Sequence, residues 1–168
     1  PWYEADVGIV GDRITRVGNL SGATAPQVID ATGLIVAPGF IDPHTHALRG
    51  IFDVPNAESA LLQGVTTLTE GNDGSSPYPI DRHYADIQDL RISPNWAVFV
   101  GQGTIRQRVI GFGLRKASPQ EMDRMKQMVR DAMEQGALGI STGLFYVPGS
   151  FTSTEEVIEL SKVAAEYN

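Results

Sequence analysis

His44-Thr45-His46 is the segment of this sequence best suited to chemistry. In extended backbone, side chains at i and i+2 project to the same side, so both imidazoles can reach one point, and a divalent metal ion is the natural occupant of that point. Asp42 stands two residues earlier on the same side. The pair follows Pro38-Gly39 and the apolar run Phe40-Ile41, which places it at the end of a predicted strand. A further candidate ligand, Asp73, lies in Gly71-Asn72-Asp73-Gly74, directly after the β-branched run Val65 to Thr69. Asn and Asp between glycines also suit a tight turn in which the carboxylate only hydrogen-bonds local backbone, and Glu70 and Asn72 compete with Asp73 for the ligand role. Two successive strands ending in possible donors favour the ligand reading. The remaining candidates are weaker. His83 reads as a solvated residue near a helix start, Asp86 and Asp89 as a wet helix face, and Met122, Met125, Met128 and Met133 as a core-packing stripe.

The elements that must position these residues can be read from periodicity. Residues 4–18 alternate apolar and polar around Gly11-Asp12-Arg13, which predicts a β-hairpin. Val28 to Val36 is a further extended stretch, and the Pro38-Gly39 bend places a domain change at about residue 37. Beyond it, strands are expected at Phe40 to His44, Val65 to Thr69, Trp96 to Val100 and Ala137 to Ser141. Helices are expected at Ala57 to Gln63, at Arg82 to Leu90, from the capping box Ser118-Pro119-Gln120-Glu121 to Gly136, and at Glu155 to Asn168. The segments Gly71 to Pro79 and Gly101 to Ala117 read as irregular. Four strand-then-helix units in succession imply a parallel, right-handed α/β winding. An eight-stranded barrel needs roughly 250 residues, so this segment would be an incomplete TIM-type (β/α)8 barrel, with an open doubly wound sheet as the alternative.

Composition narrows the function classes. The 168 residues are 42% hydrophobic and 20% charged with a net charge of −7, a globular balance that would repel phosphate backbones and makes nucleic acid an unexpected partner. No apolar run approaches the roughly 20 residues of a membrane-spanning helix, so no membrane association is expected. The absence of cysteine excludes disulfides and leaves the compartment open, with the cytoplasm favoured. Pro1 in place of an initiator methionine, and a last helix without a capping glycine or following strand, imply that residues are missing at both ends.

The stretch Ala37-Pro38-Gly39-Phe40-Ile41-Asp42-Pro43-His44-Thr45-His46 resembles the first-strand motif of the amidohydrolase superfamily. Gly64-Val65-Thr66-Thr67, the Gly71-Asn72-x-Gly74 turn, Val100-Gly101-x-Gly103-Thr104-x-Arg106 and the segment from Gly136 to Gly149 are similar to the N-acyl-D-amino-acid deacylases, or D-aminoacylases. The resemblance implies a β-sandwich built from both chain ends, of which residues 1–37 would be part, flanking a (β/α)8 barrel whose N-terminal half would be residues 38–168. It implies hydrolysis of an N-acyl amide by metal-activated water, with one or two divalent ions, zinc first among them. His44, His46 and Asp73 would be metal ligands. The family's usual cysteine stands where this chain has Asp73, and its usual histidine where this chain has Gln102. Arg106 and Tyr146 would bind a substrate carboxylate. Otherwise Arg106 would be a surface arginine beside Arg108, and Tyr146 a cover for its own loop. The general-base aspartate and the remaining metal histidines would lie beyond residue 168. The expected partners are a small N-acyl amino acid and the rest of the barrel. The alternatives are a cyclic amidohydrolase of the dihydropyrimidinase or dihydroorotase kind, and a catalytically inactive member serving as a binding or scaffold protein.

Overall fold

The computed structural model describes residues 2–167, and the chain divides into two compact units, Pro1–Ala37 and Pro38–Asn168. Pro1 and Asn168 themselves lie outside the described residues.

In the first unit the expected hairpin forms from β1 (Asp6–Val10) and β2 (Arg13–Gly18), paired antiparallel from Asp6 opposite Gly18 to Val10 opposite Arg13. Gly11 takes the left-handed φ of 62° that the two-residue connection requires. Asp6 closes the far end by accepting the Leu20 N–H at 2.8 Å. The extended stretch expected at Val28 to Val36 is not a strand. It pairs with no strand among the described residues, and its apolar side chains stand exposed, Ile35 by 90%. An apolar run becomes a strand only when a neighbouring ladder takes up its N–H and C=O groups, and this unit offers that segment none.

The second unit runs β3 (Phe40–Asp42), α1 (Leu48–Ile51), α2 (Glu58–Leu61), β4 (Val65–Glu70), α3 (Ile80–Leu90), β5 (Asn95–Val98), β6 (Val100–Gly101), α4 (Gln102–Val109), α5 (Pro119–Glu134), β7 (Ile140–Ser141) and α6 (Thr154–Ala164). Parallel pairing joins β3 to β4, β4 to β5, and β6 to β7. Only Phe99 separates β5 from β6. Its N–H donates to the Glu70 carbonyl at 2.8 Å, while Leu138 N–H donates to Val98 at 2.8 Å and Val100 N–H to Gly139 at 2.9 Å. The segment 95–101 therefore lies between β4 and the 138–141 segment, giving four parallel strands side by side in chain order. Their C-terminal ends gather residues 42–46, 70–74, 101–106 and 141–149 along one edge.

Helices cover these strands through Ile80, Val98, Val100, Ile105, Met125, Val129, Leu160 and Val163, all within 3% of full burial. Each such side chain contributes roughly 1.5–3 kcal/mol relative to its exposed form. The α5 helix shows the expected cap in full. Glu121 N–H donates to Ser118 Oγ at 3.3 Å, Ser118 N–H donates back to Glu121 Oε2 at 2.9 Å, and Pro119 follows at the first helical position. Its buried stripe, Met125, Val129, Ala132 and Met133, has the i, i+4, i+7, i+8 spacing of one helix face, which accounts for the methionines as core.

The expected irregular segment from Gly101 is corrected by α4: Gly103 and the β-branched Thr104 and Val109 are poor helix formers, but burial of Ile105 overrides that local preference. The last expected strand is reduced to Ile140–Ser141. The last helix ends at Ala164 and passes into a 3₁₀ turn at Ala165–Tyr167.

Candidate metal centre

His44 and His46 follow β3, and Asp73 follows the neighbouring strand β4. The Asp42 carboxylate accepts the His44 N–H at 3.1 Å, so this aspartate shapes the backbone under the first histidine. Both imidazole Nε2 atoms face one oxygen of Asp73, with Oδ2 at 3.4 Å from His44 and 3.3 Å from His46. The imidazole rings meet edge to face, with centroids 5.3 Å apart, and one ligand atom from each of the three residues lies within 4.8 Å of the others. Donors held about 2.0–2.2 Å from a tetrahedral zinc stand about 3.3–3.6 Å from one another, so the two distances to Asp73 match that demand. The three residues fit a divalent cation and leave coordination positions open.

The Asp73 turn is fixed by its neighbours. Asp73 has a left-handed φ of 56°, and Gly71 before it has 79°. A Cβ at Gly71 would fall 2.0 Å from the Phe99 carbonyl oxygen, so the turn can sit against the β5–β6 segment only with glycine there. Ser141, at the end of β7, clasps the turn from the other side: its hydroxyl donates to the Gly71 carbonyl and accepts the Gly74 N–H at 3.1 Å. Glu70 and Asn72, the competing ligand candidates, are 4% and 9% exposed and are turned into hydrogen bonds with residues 45, 48 and 69. Asp73 alone of the three joins the histidines.

Tyr146 is half exposed in the loop after β7, its N–H bonded to the Gly143 carbonyl at 3.0 Å and its ring packed edge-on to Phe145. Gly143 lies between it and the Asp73 turn. A Cβ at residue 143 would stand 1.8 Å from the Asp73 carbonyl oxygen and 3.1 Å from Cδ2 of Tyr146. The phenol is thus carried on the segment that supports Asp73.

The structure commits Arg106 elsewhere than the expected clamp or a surface patch. Its side chain is fully buried, Nη1 pairs with the Glu156 carboxylate, and Nη2 donates to the Arg115 carbonyl at 2.5 Å. Gln102 completes the same knot, donating through Nε2 to Glu156 Oε1 and to Thr152 Oγ1, both at 2.8 Å. Burial pushes the Glu156 carboxyl above its ordinary pKa, opposed by the charge of Arg106.

His83 is likewise not solvated. It is 6% exposed and accepts the Trp96 Nε1–H at 2.9 Å through Nε2, and burial holds its pKa below the ordinary value.

Sequence reasoning missed Ser141 and Thr45 because a hydroxyl carries no ligand signal of its own. Ser141 does lie in the Ser141-Thr142-Gly143 stretch of the deacylase-like segment, a signal that could have marked it.

Residues 27–164 match the amidohydrolase family. This chain belongs to the amidohydrolase family. It is 39% identical to a D-aminoacylase of Alcaligenes xylosoxydans xylosoxydans, an alignment that covers 96% of this amidohydrolase chain and 38% of the relative. Among solved structures it superposes with TM-score 0.92 and 32% identity on an N-acyl-D-glutamate deacylase of Bordetella bronchiseptica complexed with zinc and a phosphonate mimic of the tetrahedral intermediate, covering 99% of this chain and 40% of that one. It also superposes with TM-score 0.84 and 36% identity on a D-aminoacylase with a binuclear metal centre, covering 97% of this chain and 39% of that one. This amidohydrolase chain spans about two fifths of the length of the relatives it matches.

Proposed function

We propose that the full-length protein is a metal-dependent hydrolase of linear amides that removes the acyl group from N-acyl-D-amino acids, and that this chain supplies the N-terminal half of its barrel, with residues 1–37 belonging to a small β-sandwich. The observation that carries the reading is the convergence of His44, His46 and Asp73 at the ends of two adjacent parallel strands, with Nε2 to Oδ2 distances of 3.4 and 3.3 Å. Four parallel strands in unbroken chain order support a barrel over a doubly wound sheet, whose strand order reverses at a switch point. The relatives' names supply the substrate class.

Within the site, His44 and His46 offer Nε2 lone pairs, and Asp73 offers the negative charge that offsets a dication. A divalent ion held by these residues would supply Lewis acidity and lower the pKa of its water towards neutrality. Tyr146, one glycine away from the Asp73 turn, donates its phenolic hydrogen to the substrate's carboxylate, while strands beyond residue 168 contribute the general base and the remaining ligands. Asp73 is a harder donor than the thiolate its resemblance leads one to expect, so the site accepts harder ions alongside zinc.

The test is turnover of N-acetyl-D-amino acids and their L enantiomers by the full-length protein before and after chelation. D-selective turnover that chelation removes and zinc restores is the expected result. Absence of metal-dependent turnover on both enantiomers would overturn the proposal.

A further inference from the structure

Thr45, the residue between the two histidines, points the other way. It is 9% exposed, whereas the flanking imidazole side chains are 56% and 66% exposed. All three of its polar groups are tied to the end of the next strand. Its N–H donates to the Thr69 carbonyl at 3.0 Å, and its hydroxyl lies 3.0 Å from the same carbonyl and 2.8 Å from Glu70 Oε1. Its own carbonyl accepts Asn72 Nδ2 at 3.2 Å, and that amide also reaches the Thr69 carbonyl at 3.0 Å. Glu70 Oε1 additionally accepts the Leu48 N–H at 3.0 Å, so one carboxylate oxygen holds the chain both inside and just past the histidine segment.

We propose that Glu70 and Thr45 are positioning residues for the metal site, a buried clamp that sets the spacing between the His44–His46 segment and the Asp73 turn before any ion arrives. This rests on the metal reading above. The physical reason is the short lever between clamp and ligand. Thr45 is covalently adjacent to both histidines and faces away from them, and Asn72 is adjacent to Asp73 in a turn whose left-handed backbone Gly71 holds against Phe99. Fixing the inward groups of residues 45 and 70–72 therefore fixes the outward direction of the donors. Outer partners that orient metal ligands typically change metal affinity by about 10–100-fold when removed. Here the clamp orients the ligands through their backbone, and no contact with the imidazole rings is required.

The experiment measures zinc affinity of the full-length protein by competition with a chromophoric chelator, with the visible spectrum of the cobalt-loaded protein as a record of coordination geometry. Thr45→Val keeps the shape and deletes the hydroxyl; it is expected to weaken zinc binding by about 10–100-fold and to alter the cobalt spectrum. Thr45→Ser, which restores a hydroxyl, returns affinity to within about threefold of wild type. Glu70→Gln retains an acceptor oxygen and keeps the wild-type spectrum, whereas Glu70→Leu behaves like Thr45→Val. If Glu70→Leu does not fold, the Thr45→Val and Thr45→Ser pair still decides. Wild-type affinity and spectrum in Thr45→Val, together with lost zinc binding in His44→Ala, would overturn the clamp and leave the metal site standing. Wild-type zinc binding in His44→Ala would overturn the metal reading, and the clamp with it.

Discussion

The His44–His46–Asp73 cluster follows the strands β3 and β4, whereas the Arg106–Glu156–Gln102 knot joins the helices α4 and α6, and the two sets of side chains do opposite things. In the knot, cation and carboxylate are 0% and 2% exposed and face each other, so their charges are paired inside the protein, although Arg106 Nε and Gln102 Oε1 are buried without a partner. In the His44–His46–Asp73 cluster both imidazole Nε2 atoms lie 3.4 and 3.3 Å from one oxygen of Asp73, and all three side chains are open to solvent. Charge-bearing residues therefore indicate a ligand site by where their free valences converge, and residue type alone does not reveal it. A buried ion pair of this kind is held by its desolvated surroundings, and removal of one partner leaves the other charged and unpaired.

The largest expected break in this comparison is at the exposed side. His44→Ala or His46→Ala in the full-length protein should lower kcat on an N-acyl-D-amino acid by on the order of a thousandfold or more, because loss of the ion returns its water towards the bulk pKa. The melting temperature of the metal-free protein should hardly move. Near-wild-type turnover in either variant would remove that histidine from the site.

Arg106→Ala should act on folding. Breaking a buried pair by deleting one partner costs about 3–5 kcal/mol, and the fall should be read by denaturant unfolding. Arg106→Met combined with Glu156→Leu, which removes both charges, should recover most of it. Selectivity for an N-acyl amino acid over its uncharged amide should be unchanged in the double variant. Collapse of that selectivity with stability intact would return Arg106 to the substrate site.

Asp73→Asn exchanges a charged ligand for a weak neutral one while keeping a residue that the turn accepts. Zinc affinity should fall by about 10–100-fold, a span comparable to the loss of a partner that orients a ligand, and the metal-free melting temperature should stay the same. Asp73→Cys should retain zinc. Unaltered zinc affinity in Asp73→Asn would make Asp73 a turn residue only.

The smallest effect is expected at His83. Its pKa lies below 6.5 because burial disfavours the charged ring, against the opposing pull of Asp86 and Glu70. The unfolded chain therefore binds the proton more readily, so His83's contribution is fully present above pH 6.5 and declines as pH falls below it. Between pH 7 and pH 5.5 the wild type should lose more stability than His83→Gln, as denaturant unfolding at the two pH values would show. Equal losses in the two proteins would show that His83 is not the titrating group.

These outcomes also mark what the sequence could and could not disclose. The convergence of the two histidines with Asp73 was legible because period-two alternation is a local rule and the next strand ends just before Asp73. The capping box at Ser118 was legible for the same reason, being complete within four residues. Arg106 was misread because its partner Glu156 is 50 positions further on, a separation that no spacing rule spans. His83 was misread likewise: Trp96, which donates to it, stands 13 residues away on a strand. The α4 helix was missed because its local preferences point away from helix and only the burial of Ile105 overrides them.

The Tyr146 loop is seated on the ligand turn through backbone alone, with no room at residue 143 for any side-chain atom beside the Asp73 carbonyl. The side chains that follow, Leu144, Phe145, Tyr146 and Val147, are 50%, 89%, 55% and 55% exposed. Under the proposed function, a library varied at 144–147 and held as glycine at 143 is expected to change the acyl amino acids accepted while the His44–His46–Asp73 geometry stays as it is, whereas a library that opens 143 is expected to displace the Asp73 turn.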